Sequence, residues 1–257
     1  MLADLVAGAL ADASERRAVR SIAEVERAAI DRAPALDVLS FLAPAERVHI
    51  IAEIKRSSPS RGALAEITDP AALAVDYQSG GASAISVLTE GRRFGGSLDD
   101  LVAVRQAVTL PVLRKDFIAD PYQVFEARAA GADLVLLIVA ALETPALTSL
   151  FQLVNELGMT PLVETHSADE VERALDLGAD VIGVNARNLS TFELDQDLFG
   201  RLADQIPSGV IRVAESAVKS PADVRHYRNA GADVVLVGEA LVTGGDPVTS
   251  IREFLAA

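Results

Sequence analysis

The chain has 257 residues, half of them hydrophobic, with no cysteine and a formal net charge of -14. That length suits one or two domains with a sizeable core, and the missing cysteine excludes a disulfide, a thiolate metal site and a cysteine nucleophile. The acidic balance argues against a nucleic-acid partner, because phosphate backbones attract basic surfaces.

In chain order, MLADLVAGALADASERR places Asp4 and no Lys or Arg ahead of its apolar residues, unlike a secretory signal. The longest apolar run, LVLLIVAAL from Leu134, is far short of the roughly 20 residues a membrane helix needs. A soluble, cytoplasmic protein without membrane contact is expected. Residues 1 to 45 carry helical periodicity and predict one or two extra helices packed under or across the rest of the fold.

From residue 46 the pattern alternates. Strand candidates are IIAEI, AISVL, PVLRK, LVLLI, PLVE, VIGV, IRVAE and VVLV. Between and after them run helical stretches, from DPAALAVDYQSG through LDQDLFGRLADQI to DPVTSIREFLAA. Four strands follow GGAS, AGAD, LGAD and AGAD, at 80–83, 130–133, 177–180 and 230–233. Glycine there suits a helix C-terminus that needs φ > 0, and an unbroken apolar run suits a parallel strand buried on both faces. Asp69-Pro70, Ser220-Pro221 and Asp246-Pro247 read as N-cap plus first-turn proline. Eight βα units without a composition break predict an α/β fold, a (β/α)8 TIM barrel over 46–257 with the N-terminal helical extension; a doubly wound sheet is the alternative.

Barrel enzymes place their chemistry at the C-terminal strand ends. Here these ends carry Glu53 and Lys55, Thr89-Glu90, Lys115, Glu164, Asn185 and Arg187, Glu215-Ser216 and Gly238-Glu239. In a strand, Glu53 and Lys55 lie on one face. Strand ends are often polar merely because they meet water. Opposed carboxylates and ammoniums gathered from several strands nevertheless suit acid and base roles with separated pKa values. Only three lysines occur, at 55, 115 and 219, and two of them end apolar runs. His49 and His226 read as structural; His166, two residues past Glu164, reads as a rim candidate, with solvation or packing the favoured reading. No sequence pattern supports a metal site, a dinucleotide loop or a serine nucleophile.

The loops after the last two strands, ESAVKS and VGEALVTGG, suit a phosphate site. Gly238 permits close backbone approach to an anion or simply makes a tight turn, and the segment after it can open a short helix. Glu239 fits beside phosphate only if its side chain turns away. Ser58 and Lys55 can close the anion site from the first loop.

AEIKRSSPSRG, PVLRKDFI, PLVETH, GVNARNL, RVAES and LVGEALV, in this order and spacing, closely resemble the indole-3-glycerol phosphate synthase family of tryptophan biosynthesis. The resemblance implies a barrel enzyme without cofactor or metal. It would close the indole ring of 1-(2-carboxyphenylamino)-1-deoxyribulose 5-phosphate, with loss of CO2 and water. It further implies Lys115 as general acid beside Glu164, with Glu53 and Lys55 sharing acid and base work. Asn185, Glu215 and Arg187 match substrate contacts, and Ser58, Ser216 and the Gly238-Glu239 backbone match phosphate and ribulose contacts. Phe94 and Phe117 flank the substrate ring or belong to the core. The 57–68 loop resembles the family's mobile first loop. Where the family reads Glu-Ser-Gly, this chain has Glu215-Ser216-Ala217, so the phosphate contact at Ala217 requires its methyl to fit, as it does at negative φ. A monomer is expected, with a dimer as the alternative. The rival readings are a Schiff-base aldolase using Lys115 and a non-catalytic phosphate-binding barrel.

Overall fold

The computed structural model describes residues 1–189 and 191–257. Among them the eight expected strands close into a parallel barrel: β1 His49–Ile54, β2 Ala84–Leu88, β3 Val112–Lys115, β4 Leu134–Ile138, β5 Thr160–Thr165, β6 Val181–Asn185, β7 Ile211–Glu215 and β8 Val234–Val237. Each pairs with its neighbour in sequence, and β8 returns to β1 with His49 opposite Val234. Alternation along the strands separates two cores. Ile51, Leu113, Leu134, Leu162, Val181 and Val213 fill the barrel. Ile50, Ile85, Val135, Val163, Ile182 and Val235 face outward and pack in the layer under the helices.

The repeated Gly-Ala-Asp does two jobs. Gly131, at φ 95°, ends its helix in the left-handed conformation and donates its N–H back to Ala127. Asp133 then accepts the N–H of Val112 at the foot of β3 at 2.9 Å and pairs with Arg105 at 2.7 Å. Asp233 repeats this with the N–H and guanidinium of Arg212. These carboxylates therefore tie the foot of one strand to the turn that begins the next.

The N-terminal extension forms three helices, α1 Leu2–Val19, α2 Ile22–Ile30 and α3 Val38–Phe41, one more than expected. They occupy both ends of the barrel. Leu5 of α1 lines the mouth at the C-terminal rim, and Asp12 of α1 pairs with Arg92 in the loop after β2 at 2.6 Å. At the foot, Val38 and the fully buried Leu42 join the apolar barrel interior. Arg16 pairs with Glu126 at 2.6 Å. Behind that pair, fully buried Arg114 reaches Glu126, Asp116, Thr89 and the Gln123 carbonyl, so each of its three guanidinium nitrogens has a partner.

Between strands run α4 Pro70–Gly80, α5 Leu98–Ala107, α6 Pro121–Ala130, α7 Thr144–Glu156, α8 Ala168–Asp176, α9 Leu198–Ala203 and α10 Pro221–Asn229, followed by α11 Glu239–Thr243 and α12 Pro247–Leu255. Asp69 and Asp246 cap their helices through Ala72 and Thr249 as anticipated. The stretch LDQDLFGRLADQI is helical only over α9. Before it, the Asp195 N–H is taken by the Ala186 carbonyl and Asp195 pairs with Arg201, which fixes that approach as loop. The first loop also holds an unanticipated two-residue ribbon, Ser57–Ser58 against Gly62–Ala63.

Leu42 closes the barrel foot with no exposed surface. Leu42→Ala is expected to cost about 2–5 kcal/mol in denaturant unfolding, the range for emptying a packed leucine site. A change under about 0.5 kcal/mol, typical of a surface substitution, would contradict the plug.

Candidate active site

The inward positions at the C-terminal end of the barrel are where the apolar filling gives way to charge. β1 presents Glu53 with Lys55 just beyond it, β3 Lys115, β5 Glu164, β6 Asn185 and β7 Glu215. They line a cavity of about 360 Å³, a volume suited to a small metabolite. Ser58, Phe94, Phe117, Arg187, Ser216, Ala217, Gly238 and Glu239 line the same cavity. Thr89 and Glu90, the rim candidates after β2, do not: Thr89 donates to Asp116 at 2.6 Å, and Glu90 accepts the N–H groups of Arg92, Arg93 and Phe94, so both hold the loop after β2 rather than face the cavity.

The charges form a pair and a triad. Lys55 Nζ stands 2.9 Å from Glu53 Oε1, and Ser86 donates to Glu53 Oε2 at 3.3 Å. Lys115 Nζ lies 3.1 Å from Glu215 Oε2 and 3.5 Å from Glu164 Oε2. Three nearly fully buried carboxyl groups thus face two half-buried ammoniums, a setting in which an unpaired charge is costly. Burial opposes the Lys115 charge, but Glu215, Glu164 and Glu53 outweigh it and keep its pKa above the ordinary lysine value. Burial also pushes the Glu53 and Glu164 carboxyls up; Lys55 and Lys115 on Glu53, and Lys115, His166 and Asn185 on Glu164, bring both below the usual range. For Glu215, burial and the neighbouring Glu164 carboxylate prevail over Lys115, and its carboxyl is pushed up to about 8. At neutral pH one proton on Glu215 therefore balances the cluster, leaving two carboxylates against two ammoniums.

Two glycines make this crowding possible. A Cβ on Gly183 would stand 2.1 Å from Glu215 Oε1, and one on Gly238 would stand 2.6 Å from Glu53 Oε1 and 3.1 Å from Lys55 Nζ. Gly238 is therefore required by the Glu53–Lys55 pair, a reason neither sequence reading of this position contained. It also leads into α11, the short helix anticipated after it.

The other candidates divide by environment. Asn185 Oδ1 accepts from Ser216 Oγ at 2.8 Å and from the Arg187 N–H at 3.0 Å, which fixes the amide's orientation. Arg187 reaches the Phe192 carbonyl at 3.3 Å and stands 3.5 Å from Ser60 Oγ. The rings of Phe94 and Phe117 lie 6.1 Å apart on one wall. Ser58 Oγ is buried without a hydrogen bond. Glu239 turns to Arg61 of the first loop at 3.2 Å, which draws its charge toward that guanidinium.

Two expectations need correction. Ala217 sits at φ 59° and Ser216 at φ 70°, so the methyl is not accommodated at negative φ. Two successive left-handed non-glycine residues hold this loop at a conformational cost of about 1–2 kcal/mol each. His166 is neither solvated nor simply packed: its ring lies between Glu164 and Glu170, with Nε2 3.4 Å from Glu164 Oε1 and Nδ1 3.2 Å from Glu170 Oε2. Its position two residues beyond Glu164 was the available sequence signal. Lys219 also lines the cavity, so all three lysines of the chain do. Leu5 reaches it through the course of α1, which no local motif announces.

Fold and site together define a barrel enzyme with a buried acid–base cluster at its C-terminal rim. The profile of the indole-3-glycerol phosphate synthase family matches residues 2–254. The indole-3-glycerol phosphate synthase of Leifsonia xyli subsp. xyli is 71% identical over 254 residues, covering 99% of this chain and 97% of the relative. Indole-3-glycerol phosphate synthase 1 of Streptomyces coelicolor is 57% identical over 257 residues, covering 100% and 95%. Among solved structures, a 3-hexulose-6-phosphate synthase matches with a TM-score of 0.64 at 20% identity over 81% of this chain and 99% of its own, a likeness of fold alone. The chain belongs to the indole-3-glycerol phosphate synthase family.

A carboxyl with a folded pKa above its unfolded value binds more protons when folded. Its stabilising contribution is whole below the unfolded pKa and is lost as pH rises through the folded one. For Glu215 that window runs from about pH 4, the ordinary glutamate value, to about 8. Glu215→Gln removes this loss. Its melting temperature is expected to gain on the wild type steadily across that window, and a pH-independent difference would contradict the buried proton.

Proposed function

We propose that this chain is a carboxy-lyase of tryptophan biosynthesis. It converts 1-(2-carboxyphenylamino)-1-deoxyribulose 5-phosphate to indole-3-glycerol phosphate, CO2 and water in the cytoplasm without a cofactor. The observation that carries the reading is the Lys115 ammonium, held between Glu164 and Glu215 and facing the cavity. In ring closure an aryl carbon attacks the substrate ketone, and the ketone oxygen gathers negative charge. Lys115 supplies both a positive field and a proton to that oxygen. Loss of CO2 from the attacking aryl carbon then returns the bonding pair to the six-membered ring and restores its aromaticity. Dehydration needs one proton removed and one delivered to the departing hydroxyl. Glu164 or Glu53, ionised beside their lysines, serves as base, and Lys55 or Lys115 as acid.

The remaining lining residues fit the two ends of such a substrate. Phe94 and Phe117 offer an aromatic wall to the anthranilate ring, and Lys55 answers its carboxylate or the phosphate. Asn185 and Glu215 face the sugar hydroxyls, with Arg187 nearby. Ser58, Ser216 and the backbone at Ala217, Gly238 and Glu239 receive the phosphate and ribulose. A Schiff-base aldolase fits less well, because a nucleophilic lysine must shed its proton and the surrounding carboxylates hold the proton on Lys115.

The chain has no tryptophan, so indole emission from the product rises over a low protein background. The wild type incubated with this substrate is expected to show that rise. Lys115→Met is expected to slow it by about 10²–10⁴-fold, the span of a lost general acid. No rise from folded wild type would overturn the proposal, and a rise undiminished in the variant would remove Lys115 as the acid.

A further inference from the structure

Glu164 has a cationic neighbour on each oxygen. Oε2 lies 3.5 Å from Lys115, and Oε1 lies 3.4 Å from His166 Nε2. His166 is itself anchored from the other side. Glu170, in the first turn of α8, accepts the His166 backbone N–H at 2.8 Å, and the same oxygen stands 3.2 Å from ring Nδ1. Both imidazole nitrogens therefore face carboxylate oxygens. A neutral imidazole has only one N–H to offer, whereas imidazolium has two. Glu164 Oε1 and His166 Nε2 are both buried without a hydrogen bond in this geometry, a pairing that a proton on Nε2 resolves by a small approach.

We propose that His166 is a positioning residue: clamped as imidazolium between Glu170 and Glu164, it holds Oε1 of Glu164 so that Oε2 is presented to Lys115 and the substrate. The inference rests on Glu164 acting in the proposed synthase reaction. The ionisable groups facing the ring are Glu164 from β5, Glu170 from α8 and Glu215 from β7, with Lys115 from β3 behind Glu164. Burial pushes the imidazole down, but the Glu170 hydrogen bond and the charges of Glu164, Glu170 and Glu215 outweigh it and raise its pKa above the usual histidine value. When the ring loses its proton, one carboxylate loses its donor and Glu164 is freed to turn. Turnover then falls on the alkaline side of the imidazole pKa.

The test combines histidine NMR titration with pH profiles of kcat and KM for the wild type, Glu170→Gln, His166→Gln and His166→Leu. The chain has three histidines, so the ring signals are few enough to assign by substitution. In the wild type the His166 ring is expected to titrate above about 6.5, the unperturbed value. Glu170→Gln moves that titration and the alkaline limb of kcat to lower pH together, with KM unchanged. His166→Gln keeps a neutral donor, loses the limb and lowers kcat by about tenfold, a fraction of a full acid–base contribution. His166→Leu, which offers no donor, falls further. The inference is overturned if an active wild type and Glu170→Gln share one ring titration and one kcat profile, or if His166→Gln retains the wild-type limb. Absence of synthase activity in the wild type would overturn the functional reading, and the positioning role with it.

Discussion

The site depends on one constraint: Lys115 is a half-buried cation whose charge is held by the carboxyl groups around it. An ammonium removed from water loses several kcal/mol of hydration unless opposite charge replaces it. Here Glu164 stands 3.5 Å from it and Glu53 adds its field from β1, while Glu215, 3.1 Å away, offers a polar contact when protonated and a full charge once its proton is lost. These residues come from four different strands, so the ammonium has its partners only when the barrel is closed. Three carboxylates against two lysines would leave a surplus negative charge. Retaining a proton on Glu215 removes that surplus while Glu53 and Glu164 stay ionised. Separation of pKa values among like groups in one cavity is what acid–base chemistry at neutral pH requires.

The surrounding structure serves that cluster. Leu136, Leu162 and Val213 form a dry layer beneath it, and Gly183 and Gly238 leave space that a methyl would take from the carboxylates. Leu5 of α1 forms part of the mouth. The first loop is moored on one side by Arg56, which binds Asp100 and the Ile67 and Gly95 carbonyls. On the far side of the cavity it is met by Glu239 through Arg61. The Arg61–Glu239 contact is an exposed ion pair of small worth, whereas the Arg56–Asp100 pair is partly buried and holds its side of the loop more firmly.

Much of this was legible in the sequence, and for physical reasons. The period-two placement of Glu53 and Lys55 forced them onto one face. The four glycines after helices announced left-handed caps, and the apolar runs after them announced strands buried on both sides. What was illegible depended on side chains meeting across the barrel. Gly238 read as a turn or an anion contact because the Glu53–Lys55 pair that needs its missing side chain belongs to the first strand, at the other end of the barrel sequence. The Asp of the Gly-Ala-Asp repeat gave no hint that it would bind the foot of the preceding strand. His166 was read as solvated or packed because Glu170, one turn into the next helix, could not be aimed at it without coordinates. At Ala217 the sequence left only a condition, that its methyl fits at negative φ; the condition is not met, because Ser216, tied to Asn185, and Ala217 both take left-handed φ.

The most direct test of the central claim is the protonation state of Lys115 itself. With three lysines in the chain, labelling of the side-chain Cε and Nζ gives three signals by NMR, assignable by substitution of each in turn. The carboxylate grip predicts that the Lys115 signal still reports an ammonium at about pH 10.4, where an unperturbed lysine is half titrated. A Lys115 signal that titrates near neutrality would show burial prevailing over the carboxylates, and would contradict the account of the site built on that charge.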